Sequence, residues 1–228
     1  VEKEDIFSAI EPLFYELFSK FGSEKKVSEY PFKKISFKDS MLQYGTDKPD
    51  LRNSLKISDV TYIFNSAEIK LNIFKKQINK GAVVRAIPAP SSIKKPRSFY
   101  DNLNEWAKKE GASGLAYLSI IKVKDKLAGS GPIAKYFSDN GINEIVKTCN
   151  LKEGDAVFFS CEKKQMAENI SGLARQKIAK DLDLIQENQF QFCWIIDYPL
   201  YQYNEEEKKI DFSHNPFSMP KVRYEEFD

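Results

Sequence analysis

The sequence predicts an α+β fold in which an antiparallel sheet carries helices packed on one face. The first observation behind this is the texture of residues 55 to 184, where short helical repeats alternate with short β-branched or aromatic runs. The second is that this stretch lacks the glycine-rich crossover turns and long apolar strand runs of a doubly wound parallel sheet. The third is composition: 42% hydrophobic and 13% aromatic content across 228 residues is enough for a buried core and argues against wholesale disorder.

Taken in order, the first element is a helix. Ile6, Ile10, Leu13, Phe14, Leu17, Phe18 and Phe21 recur at spacings of three and four and form one apolar stripe. Pro12 is expected to kink this helix or remove a hydrogen bond near its start, and Gly22 to end it. After a polar connector, Lys33 to Ile35 is a short strand. Ser36 is placed to cap the following helix, with Asp39 three residues on, and Gly45 to close it in a left-handed conformation. The polar turn from Thr46 to Asn53 is shaped by Pro49, which restricts Lys48 to extended geometry. A domain boundary is expected there.

Beyond it, Ser58 is expected to cap a short helix through Phe64. Glu68 to Phe74 reads as a strand, and Ala82 to Ile87 as another, stopped by Pro88 and Pro90. Lys94 to Arg97 forms a basic loop. Phe99, Leu103 and Trp106 mark a helix face closed by Gly111, and Leu115 to Val123 is a strand. Pro132 is expected to open a helix carrying Ile133, Tyr136 and Phe137. Ile142 to Thr148 follows as a helix, Ala156 to Cys161 as a strand and Met166 to Leu184 as a long helix. The stretch Phe192 to Pro220 reads as a strand, a charged hairpin tip and a second strand, ending at the only histidine, His214.

Charge narrows little. Lys+Arg 35 against Asp+Glu 33 neither requires nor excludes a nucleic-acid partner, because phosphate binding depends on clustered charge. The three cysteines, Cys149, Cys161 and Cys193, have no CxxC spacing and read as reduced, mostly buried thiols of a cytoplasmic protein. The longest apolar run, Phe192 to Ile196, is far too short to cross a membrane, and the charged beginning of the chain has no signal-peptide pattern. The missing initiator methionine fits a piece of a longer protein.

Several segments, in the same order, resemble the bacterial aspartyl-tRNA synthetases. They are Tyr44 to Arg52 (YGTDKPDLR, with Thr46 where serine is usual), Gly111 to Tyr117 (GASGLAY), Ser130 to Tyr136 (SGPIAKY), Gly154 to Phe159, Leu173 to Arg175, and Phe192 to Pro220. The resemblance implies that residues 1–50 are part of a class II catalytic domain and residues 51–185 an inserted GAD domain. Residues 186–228 then return to the catalytic domain with its aspartate-site strands. It further implies a parent that activates L-aspartate with ATP and Mg2+ and transfers it to the aspartate tRNA as a cytoplasmic homodimer. The family's ATP-binding arginine segments and anticodon-binding domain have no counterpart here, so the segment alone is expected to be inactive and to bind no cofactor or metal. An alternative is a non-catalytic docking module for tRNA or protein, related to the GAD domain of a tRNA-dependent amidotransferase subunit.

The candidate site residues follow from the last segment. An imidazole N–H donates well to a carboxylate, so His214 fits either a substrate contact or a loop histidine stacked on Phe212 or Phe217. The resemblance implies the former, a contact to L-aspartate. Asn215 stands where the family often has a second histidine. Asp197 is read either as a group orienting the binding loop or as a carboxylate capping local backbone N–H groups. Lys48, with Asp47 and Asp50, fits either the rim of a site near the tRNA acceptor end or a loop held by its own turn chemistry. Lys94, Lys95 and Arg97 fit either a phosphate contact or a solvated charge run. With one histidine and no nearby cysteine, Asp211 to His214 cannot assemble a zinc site.

Overall fold

The computed structural model describes residues 2–204 and 207–212. In chain order the elements are α1 (Lys3–Phe21), β1 (Lys26–Val27), β2 (Lys33–Ser36), α2 (Phe37–Tyr44), β3 (Ser58–Asp59), α3 (Thr61–Asn65), α4 (Asn72–Ile78), β4 (Ala82–Ala89), α5 (Arg97–Lys109), β5 (Ala116–Val123), β6 (Lys126–Ser130), α6 (Asp139–Thr148), β7 (Ala156–Lys163), α7 (Lys164–Asp181), β8 (Gln189–Phe190), β9 (Cys193–Ile196), β10 (Tyr201–Asn204) and β11 (Lys209–Phe212). The fold is α+β.

Its largest sheet is five-stranded, in the order β3-β4-β7-β5-β6, with every neighbouring pair antiparallel. Alternation along the strands sends side chains to opposite faces. Val84, Ala86, Leu118, Ile120, Val157 and Phe159 pack with Ile63, Phe64, Phe74 and Ile145, from α3, α4 and α6. On the other face Ile87, Ala89, Ala156 and Phe158 pack with Leu103 and Ala107 of α5 and with Ile170, Ala174 and Ile178 of α7. Helices therefore cover both faces, not the single face expected from sequence, because β4 and β7 carry buried apolar residues on both sides.

Segments from early and late in the described chain come together. β1 pairs with β8 and β2 with β9, both in parallel, with Lys33 opposite Cys193 and Ser36 opposite Ile196. Over these pairs lies α1, whose Phe7 packs at a tilt against Trp194, ring centres 4.5 Å apart, while Phe18 meets both Phe190 and Phe192 at 4.9 Å. A buried carboxylate completes the contact: Glu11 Oε1 accepts from the Phe32 backbone N–H at 3.2 Å and from Trp194 Nε1 at 2.8 Å. The α1 face differs from the expected stripe. Ile6, Leu13, Leu17 and Phe21 point outward, Phe21 being 70% exposed, while Phe7 and Glu11 turn inward. The helix runs through Pro12 without interruption.

Local signals explain most of the remaining boundaries. Ser36 Oγ accepts from the Asp39 backbone N–H at 3.0 Å, a cap worth about 1 kcal/mol, and Gly45 ends α2 at φ 70°. Ser58 does not cap a helix: it lies in β3, and Asp59 Oδ1 takes the Thr61 N–H instead, at 2.9 Å. The expected strand from Glu68 to Phe74 is absent. Ile69 and Leu71 are both buried, which imitates strand alternation, but Phe74 and Ile78 share a helical face at a spacing of four and make α4. β4 continues through Pro88 to Ala89, since β3 pairs only at Ala86 and Arg85 and leaves no partner for a donor at Pro88. The helix expected after Pro132 is one 3₁₀ turn, Ala134–Tyr136, and Arg97 belongs to the first turn of α5.

All three cysteines are free thiols; Cys149 is buried, Cys161 and Cys193 half-buried. Burial pushes the Cys149 thiol up to about 12 and that of Cys161 up to about 11, and raises Cys193 against the opposing pull of Lys33. The thiolate is the reactive form. A thiol-disulfide reagent at pH 8 is therefore expected to modify Cys149 and Cys161 in the native protein far more slowly than in the denatured chain. Rapid stoichiometric labelling of the native protein, followed by mass spectrometry, would contradict the burial described here.

Candidate functional site

The loop after α2 and the end of β9 meet at one place. Asp197 directly follows β9 with φ 60°, a left-handed conformation that aspartate tolerates better than most residues and that turns the chain sharply. The Asp197 side chain is exposed. Next to it, the Tyr198 hydroxyl donates to Asp47 Oδ2 at 3.4 Å, and the Tyr198 ring packs 5.0 Å from that of Phe37. Asp47 also accepts from Lys48 Nζ at 2.8 Å, with the lysine side chain 83% exposed. Lys48 and Asp197 thus stand on neighbouring segments, brought together by the β2–β9 pairing.

The loop is held by its own turn chemistry. Thr46 Oγ1 accepts from the Lys48 N–H, Ser40 Oγ donates to the Thr46 carbonyl, and Asp50 takes the Arg52 backbone N–H together with a bidentate bond from its guanidinium at 2.9 and 2.8 Å. Lys48 beside Asp47 holds that carboxyl below its ordinary value, and Arg52 does the same for Asp50. Desolvation raises the Tyr198 hydroxyl, and the Asp47 charge adds to it. Both carboxylates and a neutral phenol therefore persist at neutral pH, leaving a site edge with an exposed ammonium and fixed acceptors.

Of the site residues expected from sequence, Asp197 is in this neighbourhood. His214 and Asn215 lie outside the described residues. Among the basic residues read as a loop, Arg97 Nε pairs with Asp101 at 3.4 Å and Lys95 Nζ donates to the Asp181 carbonyl at 3.3 Å, so both serve the surface of the helical layer. Two residues were missed. Glu11, a charged residue on the inward side of α1, is found only through its partners. Arg175 is fully buried on α7, bonded to backbone carbonyls of the segment that follows α2. Its sequence signal is the small pair Ser171 and Gly172 one turn before it, which lets another backbone approach the helix.

Two clefts lie elsewhere. One of about 440 Å³ is lined by Leu17, Phe18, Phe21 and Phe190 at the end of α1; the other, about 400 Å³, lies between α4, α5 and β5 beside Tyr117.

Comparison with known proteins agrees with this architecture. Residues 74–171, which run from within α4 into α7, match the model of the GAD domain. The whole chain is 49% identical over 228 residues to the aspartate–tRNA(Asp/Asn) ligase of Pelagibacter ubique, of which it covers 38%. It is 51% identical over 220 residues, 96% of the chain, to the ligase of that name from Rickettsia bellii, covering 36% of it. With the Methylocella silvestris protein of that name the identity is 47% over the full 228 residues, again 36% of its length. The chain thus spans little more than a third of the curated relatives it matches. The resemblance to the bacterial aspartyl-tRNA synthetases is borne out along the full sequence, including the segments on both sides of the GAD match.

Proposed function

We propose that this chain is the part of an aspartate–tRNA ligase that contains its GAD insertion, residues 51–185, between two portions of the catalytic domain, residues 1–50 and 186–228. In this reading the parent joins L-aspartate to ATP and transfers it to tRNA, and like its named relatives charges both the aspartate and asparagine tRNAs. Supporting it above all is full-length identity near one half with proteins of that name. The parallel β1–β8 and β2–β9 pairs support the division, since they join the segments assigned to one catalytic body across the intervening insertion. The outward apolar stripe of α1 supports it too, because Ile6, Leu13, Leu17 and Phe21 are of the kind that another part of a larger body ordinarily covers. A docking module alone gives no reason for the similarity to continue past residue 185.

In this account His214 donates to the side-chain carboxylate of aspartate, with Asn215 beside it. Asp197, in its left-handed turn after β9, orients the binding loop. Lys48 lines the rim. ATP and Mg2+ belong to the parent's chemistry. Among the described residues no three His, Cys, Asp or Glu side chains gather around a cation, and Lys48 is already engaged by Asp47. No step here depends on a nucleotide or a metal ion. Among the described residues no helix is long and apolar enough to cross a membrane; a cytoplasmic homodimer is the proposed setting of the parent.

The reading is tested by ATP–pyrophosphate exchange with the full-length protein. L-aspartate is expected to sustain exchange, and asparagine and glutamate to fall short by a factor of about 10³ or more, as expected when a polar site is built for one charged group. Equal exchange with asparagine would overturn the assignment.

A further inference from the structure

We infer that Arg175, on the long helix of the proposed insertion, is a positioning residue for the aspartate site, acting through the loop that carries Asp47 and Lys48. This rests on the functional reading above. The guanidinium is 0% exposed and makes all its hydrogen bonds to one distant segment: Nε donates to the Leu55 carbonyl at 2.7 Å, and Nη2 to the carbonyls of Asp50 at 2.9 Å and Asn53 at 2.5 Å. The reverse bond also exists, Asn53 Nδ2 donating to the Arg175 carbonyl at 3.2 Å. The guanidinium carbon sits 4.9 Å from the centre of the Tyr44 ring, at the end of α2. Residues 46–57 form no helix or strand, so their carbonyls have no regular ladder to join. Arg175 supplies that ladder.

The arrangement is costly as a purely stabilising device. Nη1 of Arg175 has no acceptor among the described residues, and a buried charge that serves stability alone is often replaced by a packed apolar side chain with no loss. A planar fork reaching three carbonyls does something an apolar residue cannot: it fixes the backbone path of a loop. That path sets Asp47, whose carboxylate meets the Tyr198 hydroxyl immediately after Asp197. The physical chain therefore runs from α7 by hydrogen bonds to Asp50, Asn53 and Leu55, along the backbone from Asp50 back to Asp47, and from Asp47 through the Tyr198 hydroxyl to the turn at the adjacent Asp197. A lysine at this position would place one point charge where three acceptors converge.

The test uses the full-length ligase carrying Arg175→Lys, Arg175→Met, Tyr198→Phe and the combination of Arg175→Lys with Tyr198→Phe. Each is assayed by ATP–pyrophosphate exchange below its unfolding temperature and by hydrogen exchange of residues 46–55. Arg175→Lys is expected to raise KM for aspartate about tenfold, with KM for ATP unchanged and amide protection of residues 46–55 reduced. Tyr198→Phe breaks the far end of the same chain from a half-buried position. It is expected to raise the aspartate KM with little change in Tm, and the pair is expected to be less than additive. A lowered Tm with unchanged aspartate KM in Arg175→Lys means a structural clamp only and overturns the proposal. Strict additivity of the two substitutions overturns the route through Tyr198. Should wild-type protein show no aspartate-dependent exchange, the functional reading itself fails, and the hydrogen-exchange result would still report whether Arg175 fixes the loop. Failure of Arg175→Met to fold leaves the Lys and Phe variants to decide.

Discussion

Gly45→Ala is expected to lower stability by about 3 kcal/mol, the combined cost of backbone strain and a clash between two backbones. Gly45 closes α2 at φ 70°, where any Cβ costs about 1–2 kcal/mol. A Cβ there would also sit 2.6 Å from Cα and N of Gly172 on α7, and closer still to the Glu168 carbonyl oxygen. These are backbone atoms of a helix packed on the sheet, so they cannot rotate away. Gly172 faces the same limit in reverse, at 2.9 Å from the Tyr44 and Gly45 carbonyl oxygens. Gly81→Ala separates the two effects. Gly81 has φ 89° but nothing within 4 Å of its would-be Cβ, so its substitution reports strain alone. Urea unfolding of both variants is expected to show a clearly larger loss for Gly45→Ala. Equal losses would mean that α7 can move off α2 without cost, and would remove the geometric basis for Arg175 reaching the Asp50–Leu55 segment.

That close approach explains why part of the molecule was legible in its sequence and part was not. Signals confined to a few neighbouring residues read correctly: Ser36 with Asp39, Gly45 as a left-handed cap, and the β-branched run of β5. Signals that depend on what lies opposite did not. The α1 stripe names its apolar residues but not the inward ones, because Phe7 and Glu11 are chosen by Trp194 of β9 and by Phe32 just before β2. β6, with a weak strand sequence (KLAGS), is held by β5, and Pro88 is tolerated only because β3 is short. In the candidate site, Asp197 was marked by its place after a strand, whereas its left-handed turn and the Tyr198–Asp47 contact come from tertiary packing. Arg175 was visible only as part of a matching segment; its role needs the carbonyls of residues well over a hundred positions away.

The second large effect concerns His214. On the proposed reading, removing the His214 imidazole forfeits a hydrogen bond to the charged substrate carboxylate, worth about 1.5–3 kcal/mol, and so raises KM for aspartate by about 10- to 100-fold. The loss belongs to aspartate alone; the ATP dependence has no reason to change. His214→Asn, which keeps a donor, is expected to recover part of the loss. It also asks whether a neighbouring amide such as Asn215 suffices when no imidazole is present.

The most direct measurement is the aspartate dependence of ATP–pyrophosphate exchange by full-length protein carrying His214→Ala, beside wild type at the same ATP concentration. The account predicts saturation at a much higher aspartate concentration with an unshifted ATP curve. Superimposable aspartate curves for the two proteins would contradict it.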